Sequence, residues 1–154
     1  MLRVETHVDI AAPIERCFDL ATNIDVHTRT VWKHTREKAV GGVVSGMIDS
    51  GETVTFEATH LGVRQRLTSK ITEYRRPYMF VDEMQKGAFK RLRHIHEFET
   101  HGSMTRMKDT LEFEAPLGIL GRIAERLVLK TYMRRFLKHR NRQLKELAEK
   151  EDSQ

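Results

Sequence analysis

Two histidines in one short segment, His94 and His96, have the spacing of side chains that share a strand face. Residues 91–100 alternate, with Arg91, Arg93, Glu97 and Glu99 on the opposite face. Because successive side chains of a β-strand point to opposite faces, the mostly charged set should face water and both histidines the interior. In residues 104–115 the same alternation turns Asp109 inward.

These groups suit several kinds of chemistry, and His60 joins them because it shares a face with Val54, Phe56 and Ala58. A buried polar group without a partner costs about 1–3 kcal/mol, so an inward histidine needs a hydrogen bond. Asp109 can orient His94 or His96 and leave its other nitrogen free as a general base.

Three interpretations follow for the candidate residues. The first is hydrogen bonding, within the cluster or to a ligand, and the pattern favours it. The second is acid–base catalysis by His94 or His96 with Asp109. The third is a metal held by His94 and His96, which can bind zinc with a further ligand such as His60 or Asp109. Since no cysteine or recognised ligand motif accompanies them, the sequence predicts no metal and no cofactor.

The elements that position these residues are recognisable from periodicity. Residues 2–10 alternate as a half-buried strand, residues 13–21 have helical spacing, and Asn23 can cap a second short helix that ends near Thr30. From His34 to Ala115, short turns separate the strands of an antiparallel meander. A helix follows from Gly118 to about Lys150. Its apolar stripes lie on nearly opposite sides, which predicts a kink, bulge or break near residues 128–131.

Length and charge limit the class of protein. A chain of 154 residues fits one domain, residues 1–154, and its 27 basic against 22 acidic residues give a net charge of +5. The single cysteine, Cys17, excludes an intramolecular disulfide. Without an apolar segment of membrane-spanning length, and with charges near residue 1, the sequence predicts a soluble, cytoplasmic protein.

The C-terminal helix carries the densest positive charge. We interpret this run as a solvated helix face. The alternative is an interaction module that docks on an anionic surface, with transient membrane contact but no stable insertion. No nucleic-acid-binding motif accompanies the run, so no nucleic-acid partner is predicted. Its members are Lys130, Arg134, Arg135, Lys138, Arg140, Arg142 and Lys145.

The order of elements, together with four segments, resembles the SRPBCC superfamily, which includes START lipid-transfer domains and birch-pollen-allergen-like proteins. Residues 8–20 (VDIAAPIERCFDL) are similar to the opening I-A-A-P-x-E-x-V-F signature of its polyketide cyclase/dehydrase-like branch. The other segments are residues 51–62, 80–87 and 94–98. The resemblance implies an α+β helix-grip fold, in which a curved antiparallel sheet of six to seven strands wraps a long C-terminal helix, with two short helices after strand 1.

The resemblance also implies a cavity between sheet and helix that takes a small, mostly apolar molecule. The sequence therefore predicts binding or transport of a lipid- or polyketide-like ligand, with an aromatase/cyclase or dehydratase as the enzymatic alternative. It leaves the oligomeric state open. The predicted cavity lining comprises Phe56, His60, Leu67, His94, His96, Phe98, Met107, Asp109, Leu111, Leu120, Ile123 and Leu127.

Overall fold

A computed structural model describes residues 1–115, 123 and 128–152 of the chain. Its strands form one antiparallel sheet of seven strands in the order β1-β7-β6-β5-β4-β3-β2, as predicted. Two short helices follow β1 and a long helix, α3, follows β7. The elements are β1 (Leu2–Ile10), α1 (Ile14–Ala21), α2 (Ile24–Thr30), a 3₁₀ turn (Lys33–Thr35), β2 (Lys38–Gly42), β3 (Thr53–His60), β4 (Val63–Arg75), β5 (Met79–Lys86), β6 (Arg91–His101), β7 (Met104–Glu114) and α3 (Lys130–Asp152).

Local sequence signals fix the ends of the first helices. Pro13 is the residue that immediately precedes α1, one position earlier than the helical turn in which the sequence placed it. Asn23 caps α2 as predicted, since its side-chain oxygen accepts a hydrogen bond from the Val26 backbone N–H at 3.2 Å. Leu61 and Gly62 join β3 to β4 with φ angles of 51° and 79°. Two positive φ angles are typical of the tight turns that match the twist of a hairpin.

Two irregularities bend the middle of the sheet. The pairing of β4 with β5 shifts register between Thr68 and Ser69 and again between Ile71 and Glu73. Such bulges increase the local twist and bend the strand that carries them. The sheet can therefore curve around α3, which packs most extensively on β1.

Apolar packing closes one end of the sheet. The Phe18 ring of α1 lies 5.4 Å from Tyr74, 5.5 Å from Phe80 and 5.3 Å from Phe98, measured between ring centroids. Cys17 is fully buried beside it. The C-terminal part of α3 covers the same cluster through Leu144 and Ala148. The other end of the sheet, where the β3–β4 and β5–β6 turns lie, is not closed by this cluster.

The start of the long helix carries the predicted irregularity. Residues 128–129 form a π-helical turn that leads directly into α3. A π-turn inserts an extra residue and rotates the helical faces relative to one another. Most of the predicted helix before this turn, residues 118–122 and 124–127, lies outside the described residues. No helix in the part of the chain that the structure describes has the length and apolar character required to cross a membrane.

Candidate functional site

A cavity of about 590 Å³ lies between the sheet and α3. Every strand from β3 to β7 contributes apolar side chains to its wall, as does α3. Leu61 and Val63 line the cavity although they are 57% and 61% exposed, so it opens to solvent beside the β3–β4 turn. Apolar residues of the wall include Phe56, Leu67, Phe80, Leu92, Leu111 and Met133.

The register of three neighbouring strands brings the predicted histidines to one part of this wall. His96 of β6 lies opposite Asp109 of β7, and His94 of β6 lies opposite Asp82 of β5. The His94 Nε2 donates a hydrogen bond to Asp109 Oδ1 at 2.7 Å. This is the histidine–carboxylate pair that the alternation in β6 and β7 predicts.

A second carboxylate, from β5, faces the same two rings. The His96 Nε2 donates to Asp82 Oδ2 at 2.8 Å, and His94 Nδ1 lies 4.0 Å from that oxygen. The His96 Nδ1 is 3.2 Å from Asp109 Oδ1, but it is not aligned for a hydrogen bond. The imidazoles stack with centroids 3.7 Å apart. Both rings therefore lie between two carboxylates.

The helix α3 completes the network with two polar residues that enter the interior. The Arg140 Nη2 donates to Asp109 Oδ1 at 2.7 Å, and the Asn141 side-chain amide donates to Asp109 Oδ2 at 2.8 Å. Arg140 is only 7% exposed. Its assignment to a solvated basic face was therefore wrong, because the turn between Leu137 and Leu144 faces the sheet. We call Asp82, His94, His96, Asp109, Arg140 and Asn141 the acid–histidine cluster.

Burial and charge act in opposite directions on the carboxylates of the cluster. Burial by itself raises the pKa of Asp109, but the Arg140 charge and the histidine hydrogen bonds outweigh it and hold the pKa well below its ordinary value. Burial also raises the pKa of Asp82, and the hydrogen bond from His96 with the nearby histidine charges lowers it on balance. Both residues are therefore carboxylates at neutral pH.

The pKa values of the two neighbouring histidines are shifted in opposite directions. Burial, and then the charge of His96, lowers the pKa of His94 to about 4. Burial lowers the pKa of His96 as well, but its contacts with Asp109 and Asp82 outweigh burial and raise the pKa on balance. At neutral pH His94 is therefore neutral. Since its Nε2 carries the proton donated to Asp109, its Nδ1 has a free lone pair.

His60 occupies a different part of the cavity wall, with a neutral partner. Its Nδ1 is hydrogen-bonded to the Tyr132 hydroxyl of α3 at 2.7 Å, and its ring also contacts Phe136 edge-on. Burial lowers the pKa of His60 and raises that of Tyr132. We call these residues the His60–Tyr132 pair.

The predicted lining is only partly found in the cavity wall. Ile123 is half exposed and outside the wall, Asp109 lies behind the two histidines, and Phe98 and Met107 are buried in the apolar cluster around Phe18. They share a strand face with His94, but α1 covers that end of the sheet. Leu120 and Leu127 lie outside the described residues. The predicted residues that do line the cavity are Phe56, His60, Leu67, His94, His96 and Leu111.

Sequence reasoning missed Asp82, Arg140 and Asn141. Asp82 follows two consecutive buried residues, Phe80 and Val81, so β5 lacks the simple alternation of β6. Arg140 is three residues after Leu137 and four before Leu144, a helical spacing that places it on their face. This helical spacing could have identified Arg140 as an inward residue, but the many basic residues around Arg140 concealed the signal.

Comparison with known proteins agrees with this architecture. Residues 1–149 match the family described as "Polyketide cyclase / dehydrase and lipid transport". The chain belongs to this family. The resemblance to the SRPBCC superfamily and to its polyketide cyclase/dehydrase-like branch is thereby confirmed. A comparison with curated proteins found no match.

Solved structures share the fold at low sequence identity. A protein of Thermus thermophilus superposes with a TM-score of 0.73 and 21% identity, covering 94% of this chain and 95% of that one. A START superfamily protein of Mycobacterium smegmatis gives 0.72 and 14%, covering 96% and 97%. A major latex-like protein of Panax ginseng gives 0.70 and 12%, also covering 96% and 97%. These similarities confirm the helix-grip fold.

Proposed function

We propose that this protein binds a small, mostly apolar molecule with one polar end, in the cavity between the sheet and α3. The observation that carries the proposal is a cavity of about 590 Å³ whose wall is mostly apolar and includes buried, hydrogen-bonded polar groups at the acid–histidine cluster. This volume lies within the roughly 300–1,000 Å³ of small-molecule sites, which commonly combine an apolar wall with a few polar groups.

The apolar wall supplies the driving force. Burial of apolar ligand surface contributes about 25 cal/mol per Å², so the hydrocarbon part of the ligand accounts for most of the affinity. Phe56 and Leu67 belong to the part of the sheet near the open β3–β4 turn. A long ligand would extend from this opening toward the acid–histidine cluster.

The polar groups orient the ligand. The Arg140 guanidinium is a donor in the wall, whereas Asp82 and the free Nδ1 of His94 offer acceptors. A hydroxyl group can donate to an acceptor and accept from a donor, so an alcohol, phenol or enol fits this mixed set. The His60–Tyr132 pair gives a second place for a polar substituent.

Filling the cavity tests the proposal directly. Ala58 lines the wall and is 5% exposed, so Ala58→Phe should occupy ligand space. We expect the variant to weaken binding of anilinonaphthalene sulfonate by on the order of tenfold, or about 1.4 kcal/mol. Fluorescence titration measures the affinity, and native mass spectrometry of protein from its own host identifies a co-purifying molecule.

Val44→Phe is the control, because Val44 is 51% exposed and outside the cavity wall. It should bind the probe as the wild type does. If Ala58→Phe does not fold, Leu67→Trp fills the cavity from another strand. Wild-type affinity in a folded Ala58→Phe and a folded Leu67→Trp would contradict ligand binding in this cavity.

One observation favours a second candidate function, an acid–base enzyme of the cyclase or dehydratase type. Asp109 orients His94 through Nε2 and leaves Nδ1 without a hydrogen bond among the described residues. That nitrogen could remove a proton from a carbon next to a carbonyl, although a pKa of about 4 makes it a weak base. A linear β-diketo thioester is the probe: turnover that survives both His94→Gln and Asp109→Asn would contradict this function.

A further inference from the structure

Three potential metal ligands converge in the cavity wall. Asp82, His94 and His96 each present one ligand atom, and these atoms all lie within 4.8 Å of one another. Two residues come from β6 and one from the neighbouring strand β5. They are therefore held on adjacent strands of a sheet rather than on a loop.

The distances agree with a site that is nearly assembled. In a tetrahedral zinc site, bonds of about 2.0–2.2 Å place neighbouring ligand atoms roughly 3.3 Å apart. Asp82 Oδ2 is 2.8 Å from His96 Nε2 and 4.0 Å from His94 Nδ1, one distance below that value and one above. The imidazole planes are inclined by 29°, so ligation requires one ring to rotate about χ2.

Asp109 lies on the other side of the two histidines from Asp82, where a carboxylate can accept the ring N–H that does not face the metal. Metal-bound histidines usually donate their other ring N–H to a carboxylate, which fixes the ring orientation. His94 donates its Nε2 to Asp109 Oδ1 at 2.7 Å, and His96 Nδ1 is 3.2 Å from the same oxygen. Both remaining nitrogens, His94 Nδ1 and His96 Nε2, lie toward Asp82. Arg140 and Asn141 fix Asp109 from the other side.

His96 Nδ1 is buried and has no aligned hydrogen-bond partner, and His94 Nδ1 has none within hydrogen-bond distance among the described residues. Buried polar atoms are normally hydrogen-bonded, so the unpaired His96 Nδ1 is unusual for a network that only satisfies itself. All three side chains line the cavity, so a metal held by them keeps an open position toward its interior. Two imidazoles and a carboxylate suit zinc-class divalent ions.

We propose that Asp82, His94 and His96 bind one divalent metal ion of the zinc class, with Asp109 orienting His94. Metal binding displaces the His96 Nε2 proton that Asp82 accepts in the metal-free protein. His96 then carries its proton on Nδ1, which lies 3.2 Å from Asp109 Oδ1. The fourth position faces the cavity. This goes beyond ligand binding and does not depend on it, since the apolar wall is present with or without the ion. The sequence prediction lacked the third ligand, because it considered His60 and Asp109 for that role.

Calorimetric titration of the chelator-treated full chain with Zn²⁺ tests the site. We expect one ion per chain. X-ray absorption of the zinc-loaded wild type should show two imidazoles and oxygen ligands without sulfur, because Cys17 is buried in the apolar cluster. Cobalt loading should give the visible bands of a four-coordinate site.

Variants locate the ion. Asp109→Asn should weaken zinc affinity by about 10- to 100-fold, because it removes the carboxylate that accepts the ring N–H of a metal-bound histidine. Asp82→Ala should weaken it further. His101→Ala is the matched control, since His101 is on the same strand β6 and its side chain is exposed. It should bind zinc as the wild type does.

Specific results would overturn the proposal. One is a wild type that takes up no zinc at micromolar concentration. Another is a folded Asp82→Ala with wild-type affinity, and a third is a sulfur ligand in the absorption spectrum. If Asp82→Ala does not fold, the wild-type absorption spectrum and the zinc affinity of His96→Gln test the site instead, and wild-type affinity in a folded His96→Gln would overturn it. Probe fluorescence on the zinc-free protein is measured in parallel, so loss of metal binding is distinguishable from loss of the cavity.

Discussion

The acid–histidine cluster and the His60–Tyr132 pair place histidines in the same cavity wall under opposite conditions. His94 and His96 lie between two carboxylates, with Arg140 as a permanent charge. His60 has one partner, a phenol, and no carboxylate within ion-pair distance among the described residues. Burial lowers the pKa of His60, whereas the unfavourable burial of His96 is outweighed by contacts with Asp109 and Asp82 that raise its pKa, so burial alone does not determine the charge of a histidine. The groups facing each ring nitrogen decide whether burial or electrostatic attraction prevails.

Among substitutions at the two sites, Arg140→Ala should have the largest effect on stability. Removing one partner of a buried ion pair leaves the other charge uncompensated, so we expect the free energy of unfolding to fall by about 3–5 kcal/mol. Urea denaturation measures it. Arg142→Ala is the control on the same helix, because Arg142 is exposed, and it should have little effect. Equal effects of the two substitutions would show that Asp109 does not need Arg140.

A smaller effect is expected on the pH dependence of stability of the metal-free protein. Unfolded His94 takes up a proton below about pH 6.5, whereas folded His94 does so only near pH 4. Between these values the unfolded state binds more protons, so the free energy of unfolding decreases as the pH falls. The raised pKa of His96 acts above this range, where it lowers stability as the pH rises.

Substitutions separate the contributions of His94 and His60 to the slope of the free energy of unfolding against pH on the acid side. His60 also has a lowered pKa, and burial is its main cause. Because His60 is less buried than His94, His94→Gln should remove more of the acid-side slope than His60→Gln. His101→Gln, on the exposed face of β6, should leave the slope unchanged. If His60→Gln removed more of the acid-side pH dependence of stability than His94→Gln, the expectation that His94 contributes more would be wrong.

The smallest expected effect is that of Tyr132→Phe. It removes one hydrogen bond between neutral groups, so the free energy of unfolding should fall by about 0.5–1.5 kcal/mol. Thermal and urea denaturation measure the loss. His60→Phe in the Tyr132→Phe background should add little beyond the first substitution, since the bond is already gone. A loss as large as that of Arg140→Ala would contradict a hydrogen bond between two neutral groups.

The strands of the site were predictable because β6 and β7 alternate strictly. That alternation identified the inward face of His94, His96 and Asp109 correctly. It could not show which element covers the face at each position along the strand. Phe98 shares the face of His94 but lies against Phe18 of α1, so it belongs to the core rather than to the cavity.

The remaining members of the site depend on tertiary packing. Asp82 lies on a strand whose neighbour β4 carries two register shifts, and bulges of this kind are not visible in residue periodicity. Asn141 reaches Asp109 only because α3 crosses the sheet beside β1, where the same amide also donates to the Thr6 hydroxyl at 3.2 Å. A contact between residues so far apart in the chain follows from the fold and not from local spacing.

The position of β1 at the edge of the sheet has a consequence for biosynthesis. Among the described strands β1 pairs with β7 alone, with Leu2 opposite Phe113. The helix α3 anchors β1 further through a hydrogen bond from Lys145 Nζ to the Asp9 carbonyl at 2.7 Å. During translation β1 cannot pair with β7 until β7 has been synthesised and has left the ribosome. Such distant pairings slow folding. The cavity is therefore completed only after synthesis of α3.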